Sequence, residues 1–423
     1  MSREKRITIL VQIVLVGFCF AVFYHYVYGV YLGIGYPYNT FLFVPIDRFS
    51  DFYRVLQANQ DLNPYFGTYH MFQYPLLNFM GFIFSLIPFP YSFLLFILIV
   101  TGFMLVACSY SLAISGRPTN WTNIFVLSTL TYPFLIDIDR GNFDGIIFAL
   151  LVLFIYFFSK ERYIFSAVFL SFAMAMKPFP VVLLLLFVSR RKIKEAIIAV
   201  SLTVAASIVP LLLFKGGFFA NLSAAISISS FPDAIGASGY FLQNNFVFHS
   251  VSLFAILKVY FIESGQIQNI DMSLFSSMYI KGVLLALVPI STYVVFFEKQ
   301  LWRQVAILSI VMVVFPQISG GYRLLYMFIP LFLFFRNEQT SRGDYLYTVL
   351  FGLLLIPKSY YFFPKTITDA GVFDFSIAYP VDLFIMVLML LVIIIAGILK
   401  NTSNISLKKI TSDVNSLVRN KGA

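Results

Sequence analysis

The stretch FLLFILIVTGFMLVAC, residues 93–108, carries no charge and no alternation of polar with apolar positions, and runs like it recur along the whole chain. A backbone inside a bilayer has no water to bond, so only helices and closed barrels cross it, and a helix needs about 20 apolar residues to do so. Barrel strands alternate inward and outward residues. These runs do not, so the chain reads as all-α and polytopic. With 60% of 423 residues hydrophobic and 11% charged, too few polar groups exist to cover a soluble surface.

Twelve spans are expected, over 7–28, 90–113, 122–138, 143–159, 163–177, 179–189, 194–214, 276–297, 304–319, 322–335, 345–363 and 380–399. Arg3, Lys5 and Arg6 precede the first without a small-residue cleavage site, which makes it an uncleaved anchor with a cytoplasmic N-terminus. The positive-inside bias then places Arg117, Lys160, Arg162, Arg190, Arg191, Lys192, Lys194, Lys299, Arg303, Arg336, Arg342 and both termini on the cytoplasmic side. Counting 246–262 as a span would invert every later loop, and Lys258 sits in its middle, so it reads as a re-entrant or interfacial helix on the outer side. Segments 163–177 and 179–189 are short for a full crossing, and the outer face should be recessed where they meet.

Residues 1–400 read as one domain with outer loops at 29–75 and 215–275, followed by a basic cytoplasmic tail, 401–423. The net charge of +10 follows from this topology and from anionic lipid at the cytoplasmic surface; nothing signals nucleic acid. Cys19 and Cys108 lie in apolar runs and carry no redox or metal message.

Polar residues collect outside in four places. Loop 29–75 holds Asp47, Arg48, Asp51, Arg54 and Tyr74, with Ser50 expected to cap a short interfacial helix that runs from Asp51 to near Asn63-Pro64. Phe52, Val55 and Leu56 would face the membrane, and Asp51, Arg54 and Ala58 the opposite side. In DIDRGNFDG, 137–145, Gly141 and Asn142 fit a turn with Asn142 as N-cap, so the next helix aims free N–H groups outward beside Asp139, Arg140 and Asp144. In MKPFP, 176–180, the residue before proline avoids the α region, which ends a helix at Lys177. In FPQISGGYRLLY, 315–326, two glycines break a helix before Tyr322 and Arg323.

The bland readings are ion pairs. Asp51 and Arg54, three apart, would make an exposed pair worth about 0.3 kcal/mol, and Arg140 would pair with Asp137, Asp139 or Asp144. His25 and His249 read as packed or interfacial. No spacing suggests a metal site, a Ser/His/Asp arrangement or a phosphate-cradling glycine loop, and no cofactor is implied.

SDFYRVLQANQDLNPY, then FQYPLLNFMGFIFSLIP, then DRGNFDGIIFALLVLFIYFFSKERYIFSAVFLSFAMAMKPFPVVLLLL, spread over Ser50–Arg191, resemble glycosyltransferase family 87 of the C-type superfamily, and FPQISGGYRLLYMFIP resembles a later landmark of that family. The chain departs from many relatives in having DRGN where a Gly-Gln-x-Asn pattern is common, and SGGYR in place of a histidine-containing turn. The resemblance implies an enzyme that moves a hexose from a polyprenyl-monophosphate sugar to a glycan or glycolipid at the outer face of the cytoplasmic membrane. By position Asp51 inherits the general base, with Asp47 as fallback; Arg140, Lys177 and Arg323 would hold donor phosphate. Asp139, Asn142, Asp144, Arg54, Tyr74 and Tyr322 would line the site. Two rivals stand beside this reading. A lipid-linked glycan transporter or flippase tends to carry repeats and midplane charges, and neither is evident. A pyrophosphate-linked glycan polymerase or ligase would place functional residues in a large late outer loop, yet 215–275 has few charges.

Overall fold

The computed structural model describes residues 1–67, 74–113, 120–230, 249–266, 270–338, 343–363, 366–368, 371–373 and 375–420. Arg117 and Arg342, both assigned to cytoplasmic loops by charge, lie outside the described residues, as does part of the outer region 215–275.

Seventeen α-helices are found among them. The first four are α1 (Arg3–Tyr26), α2 (Ser50–Asn59), α3 (Pro75–Ser85) and α4 (Tyr91–Leu112). Next come α5 (Trp121–Thr129), α6 (Tyr132–Arg140), α7 (Asp144–Ser159), α8 (Tyr163–Met176), α9 (Leu184–Ser189), α10 (Ile193–Leu213) and α11 (Phe218–Ser230). The rest are α12 (Leu253–Glu263), α13 (Met272–Thr292), α14 (Leu301–Val314), α15 (Phe328–Arg336), α16 (Asp344–Leu355) and α17 (Ala378–Asn420). The one sheet among the described residues is a two-stranded antiparallel pair, Thr366–Thr368 with Gly371–Phe373.

Five helical stretches are long and apolar enough to cross a bilayer: Arg3–Tyr31, Tyr91–Leu112, Ile193–Leu213, Met272–Phe297 and Ala378–Leu399. Six shorter apolar helical stretches, from Pro75–Ser85 to Asp344–Leu355, pack among them. This is a polytopic membrane protein. The two kinds of helix divide by environment. Every residue of α14 from Trp302 to Val314 is buried, as a helix apolar on all sides must be when it fills a core. By contrast α10 and α13, equally apolar, keep most of their surface outside the packed interior, as lipid-facing helices do.

The stretch expected to span 122–138 is broken instead at Leu130–Thr131, where Pro133 near the start of α6 lacks the N–H that would continue α5. Helix α3, whose 11 residues are short for a crossing, lies outside the twelve expected spans and packs on α2. Helix α12 also has 11 residues, short for a crossing, and residues 246–248 of the segment expected to re-enter lie outside the described residues.

Basic residues gather at one end. Arg3 donates to the Ser111 and Ala113 carbonyls, Arg6 to those of Phe334 and Asn337, and Arg336 to that of Tyr110. Arg303 lies 3.8 Å from Glu298 at the same end, and the 14-residue α14 leads from there toward the glycine turn at 320–321. That helix is about 21 Å long at 1.5 Å per residue, enough to set two polar layers apart.

Candidate active site

Helix α2 differs from expectation at both ends. Ser50 is its first residue rather than its cap; Phe49, in the left-handed region at φ 59°, precedes it, and the helix stops at Asn59. Its apolar side is buried in protein. Phe52 is wholly inaccessible, with ring centroids 5.1 Å from Phe96 and 5.9 Å from Phe143, and Ala58, assigned to the polar face, is buried as well. This packing aims Asp51 at the end of α6.

That end is shaped by DRGN. Gly141 sits at φ 63°, its N–H reaches the Ile138 carbonyl at 3.0 Å, and the Asn142 N–H reaches that of Asp137 at 3.1 Å. This is a left-handed helix termination that glycine adopts without strain. A side chain at Gly141 would also stand 2.8 Å from the Phe52 Cβ, so α2 can seat only on a glycine there. The N-cap position of α7 is Phe143 rather than the expected Asn142, which from one residue earlier turns its Oδ1 to the Asp144 N–H at 3.0 Å.

Two carboxylates organise the charged residues. Asp51 accepts from Arg140 through both oxygens, one bond being to Nε at 3.3 Å, and from Asn142 Nδ2 at 2.7 Å. Asp144, fully buried, meets Lys177 Nζ at 2.5 Å and Arg323 Nε at 4.0 Å, and the Tyr326 hydroxyl donates to its other oxygen. Asn142 joins the pair, because Lys177 Nζ also donates to its Oδ1 at 3.3 Å. Lys177 ends α8 in extended backbone directly before Pro178, as the steric rule requires. Arg323 and Tyr326 ride on the 3-10 helix Gly321–Met327, whose three-residue period puts both on one face. The network of ion pairs and hydrogen bonds thus holds three cations against two carboxylates.

Aromatic rings wall it. The Arg140 guanidinium lies 4.2 Å over the Phe43 ring, Arg323 4.3 Å over Phe179, and Lys177 5.7 Å from the centre of Tyr322. Tyr74 is close enough to Arg323 to feel its charge.

Three of the anticipated residues, Arg54, Asp47 and Asp139, stand apart from the rest. Arg54 turns to Asp47 at 3.7 Å, both well exposed at the rim, so the Asp51–Arg54 pair does not form. Asp47 reaches the centre through its carbonyl, which accepts from Arg140 at 3.4 Å. Asp139 turns away from Lys177, accepting from the Phe43 N–H at 3.0 Å and facing Arg48 at 3.6 Å. Burial raises its carboxyl above the ordinary range, against the pull of that N–H and of Arg48 and Arg140. Arg140 takes Asp51 as its partner, not Asp137, Asp139 or Asp144. Tyr326 and Phe43 were not anticipated; the spacing Arg323–Tyr326 was the available signal for the first, and none existed for the second.

The sequence profile of glycosyltransferase family 87 matches residues 72–357, well over half of the chain and including Arg140, Lys177 and Arg323. The chain belongs to glycosyltransferase family 87. This is a C-type family dependent on polyprenyl-phosphate sugars, so this family 87 enzyme works with a lipid-linked sugar donor and an acceptor. None of the curated proteins matches the chain. Asp51 precedes the matched region of the enzyme, yet its side chain bonds to Arg140 and Asn142 within it.

Proposed function

We propose that this family 87 glycosyltransferase moves one hexose from a polyprenyl-monophosphate sugar to a glycan or glycolipid acceptor, with inversion, at the outer face of the inner membrane. Residues 1–400 would act as one unit, both termini cytoplasmic, in the synthesis or modification of a cell-surface polysaccharide such as O-antigen.

The observation that carries this reading is the gathering of three cations, Arg140, Lys177 and Arg323, around Asp51 and Asp144. A sugar phosphodiester bears one negative charge and becomes a doubly charged monoester as the sugar leaves. Fixed cations therefore stabilise the transition state more than the ground state, and no strong general acid is needed. In the step itself the acceptor hydroxyl oxygen bonds to the anomeric carbon, the bond from that carbon to the phosphate oxygen breaks, and the hydroxyl proton passes to Asp51. A carboxylate offers about four lone-pair directions. Asp51 uses three, and its side chain is 23% exposed, which leaves one direction open to a hydroxyl. Asp144, inaccessible and facing Tyr326, Lys177 and Arg323, is suited to hold the cations rather than to take a proton. A single displacement inverts the anomeric centre.

The test is to incubate the purified enzyme with polyprenyl-monophosphate and polyprenyl-pyrophosphate sugars and to read the product anomer by NMR. Consumption of the monophosphate with inversion is expected. Preference for the pyrophosphate, or retention of configuration, would overturn the reading.

A further inference from the structure

Asp139 and Arg140 are neighbours at the end of α6, yet they serve different partners. Arg140 bonds to the Asp51 side chain and the Asp47 carbonyl. Asp139, only 6% exposed, holds the chain that carries them. Its Oδ2 accepts from the Phe43 N–H at 3.0 Å, its Oδ1 faces Arg48 Nε at 3.6 Å, and its own carbonyl accepts from the Phe49 N–H at 2.7 Å. One residue thus grips the segment 43–49 at both ends.

The grip follows from how α6 stops. The last carbonyls of a helix lack intrahelical partners, and in the turn at Gly141 the N–H groups of Gly141 and Asn142 go to Ile138 and Asp137. The Asp139 carbonyl takes the Phe49 N–H instead. Phe49 lies at φ 59°, a backbone that a bulky residue keeps only where its surroundings fix it, and its ring centroid stands 4.3 Å from that of Phe93. Two residues later, in the first turn of α2, comes Asp51.

We propose that Asp139 is a positioning residue for the transfer, a clamp on segment 43–49 that sets Phe43 and Asp51 against Arg140. The inference rests on the transferase reading above, and it gives Asp139 a task other than contact with substrate. Phe43 under the Arg140 guanidinium at 4.2 Å, the Asp47 carbonyl at 3.4 Å from it and the Asp51 carboxylate all belong to the stretch that Asp139 fixes or to the helix that continues it. The family profile begins at residue 72, so the clamp is also where chain matched to the family takes hold of the earlier chain that bears Asp51.

The two side-chain contacts of Asp139 differ in weight. The Arg48 side chain is 48% exposed, and an ion pair of that kind contributes little. The bond from the Phe43 N–H to a buried carboxylate is charge-assisted and shielded from water. An amide at this position keeps an acceptor for that N–H, whereas alanine does not. A clamp therefore tolerates asparagine; a group that carries a proton or binds substrate by its charge does not.

The test compares Asp139→Asn and Asp139→Ala in the detergent-solubilised full chain. Hydrogen–deuterium exchange is followed on peptides covering 43–51, transfer under single-turnover conditions with a polyprenyl-monophosphate hexose, and binding of the same donor at equilibrium. Asp139→Ala should speed exchange over 43–49 at least about tenfold, the effect of losing one bond to a charged group. It should lower transfer about ten- to hundredfold, as misplacement of a reacting group does, with donor affinity changed less than about threefold. Asp139→Asn, expected to speed exchange about threefold and to hold transfer within about fivefold of wild type, keeps the test decisive if the alanine variant does not fold. Because the clamp acts through Asp51, adding Asp139→Ala to Asp51→Asn should lower transfer less than about threefold further. Unchanged exchange in Asp139→Ala, transfer by Asp139→Asn as poor as that by alanine, or a full additional loss in the double variant would each overturn the clamp. Absence of wild-type transfer from any polyprenyl-phosphate donor would instead count against the transferase reading, on which the exchange measurement does not depend.

Discussion

Replacing Asp51 by asparagine separates a base from a structural ion pair. The amide keeps one acceptor oxygen and the size of the carboxylate but offers Arg140 and Asn142 fewer of the three bonds they now make. Bonds to charged groups are worth about 1.5–3 kcal/mol each, so losing one lowers stability by that order. A bundle with the core described here stays folded, with a modestly lower unfolding temperature. Loss of a general base lowers transfer about 10²- to 10⁴-fold, and at about 1.4 kcal/mol per tenfold this is roughly 2.7–5.4 kcal/mol of barrier. The two effects are read in separate assays: radiolabelled sugar transfer under single-turnover conditions, and equilibrium binding of the polyprenyl-phosphate sugar. Transfer should collapse while donor affinity moves less than about threefold, since Lys177 and Arg323, proposed to hold the donor phosphate, keep Asp144. Asp47→Asn, at the exposed rim, should change transfer little. Transfer by Asp51→Asn within about tenfold of wild type would refute the base assignment and leave the Arg140 pair as the whole role of this residue.

Lys177→Ala should weaken donor binding and transfer together, and Lys177→Arg should restore them only in part, because a planar guanidinium replaces a compact ammonium; kinetics of the two variants check this. Asp144→Asn should cost about 3–5 kcal/mol of stability, since a buried carboxylate that faces Lys177 and Arg323 is lost and two cations remain, and thermal unfolding in detergent reads the loss. His249, held at about 4 against an ordinary 6.5, binds fewer protons folded than unfolded between those values. Its contribution is therefore fully present above about 6.5 and lost as pH falls toward 4, so His249→Gln should flatten the acid side of a stability–pH curve.

What the sequence showed of this site follows the reach of local rules. The helix end at Lys177 was legible because Pro178 acts on its immediate neighbour, and the turn at Gly141-Asn142 because only certain residues accept that backbone. The partner of Arg140 was not legible. Asp137, Asp139 and Asp144 are nearer in sequence, but the choice of Asp51 is made by the seating of Phe52 among Phe84, Phe93, Phe96 and Phe143. An amphipathic pattern says that one face of α2 leaves water; it does not say whether lipid or protein receives it. The same ambiguity touches the count of spans, because α3 and the broken pair α5 and α6 are apolar without being long enough to cross alone.

The Asp144 carboxylate has a consequence for how the chain is made. Its lysine partner comes 33 residues later, on the helix that follows its own, whereas its tyrosine partner comes 182 residues later. A helical hairpin that carries both members of an ion pair can leave the translocon with its charges already matched, at far lower cost than either helix alone. Helices α7 and α8 are such a hairpin. The nascent protein can therefore bring the charge of its future site into the membrane early and hold it compensated until Arg323 and Tyr326 arrive to complete it.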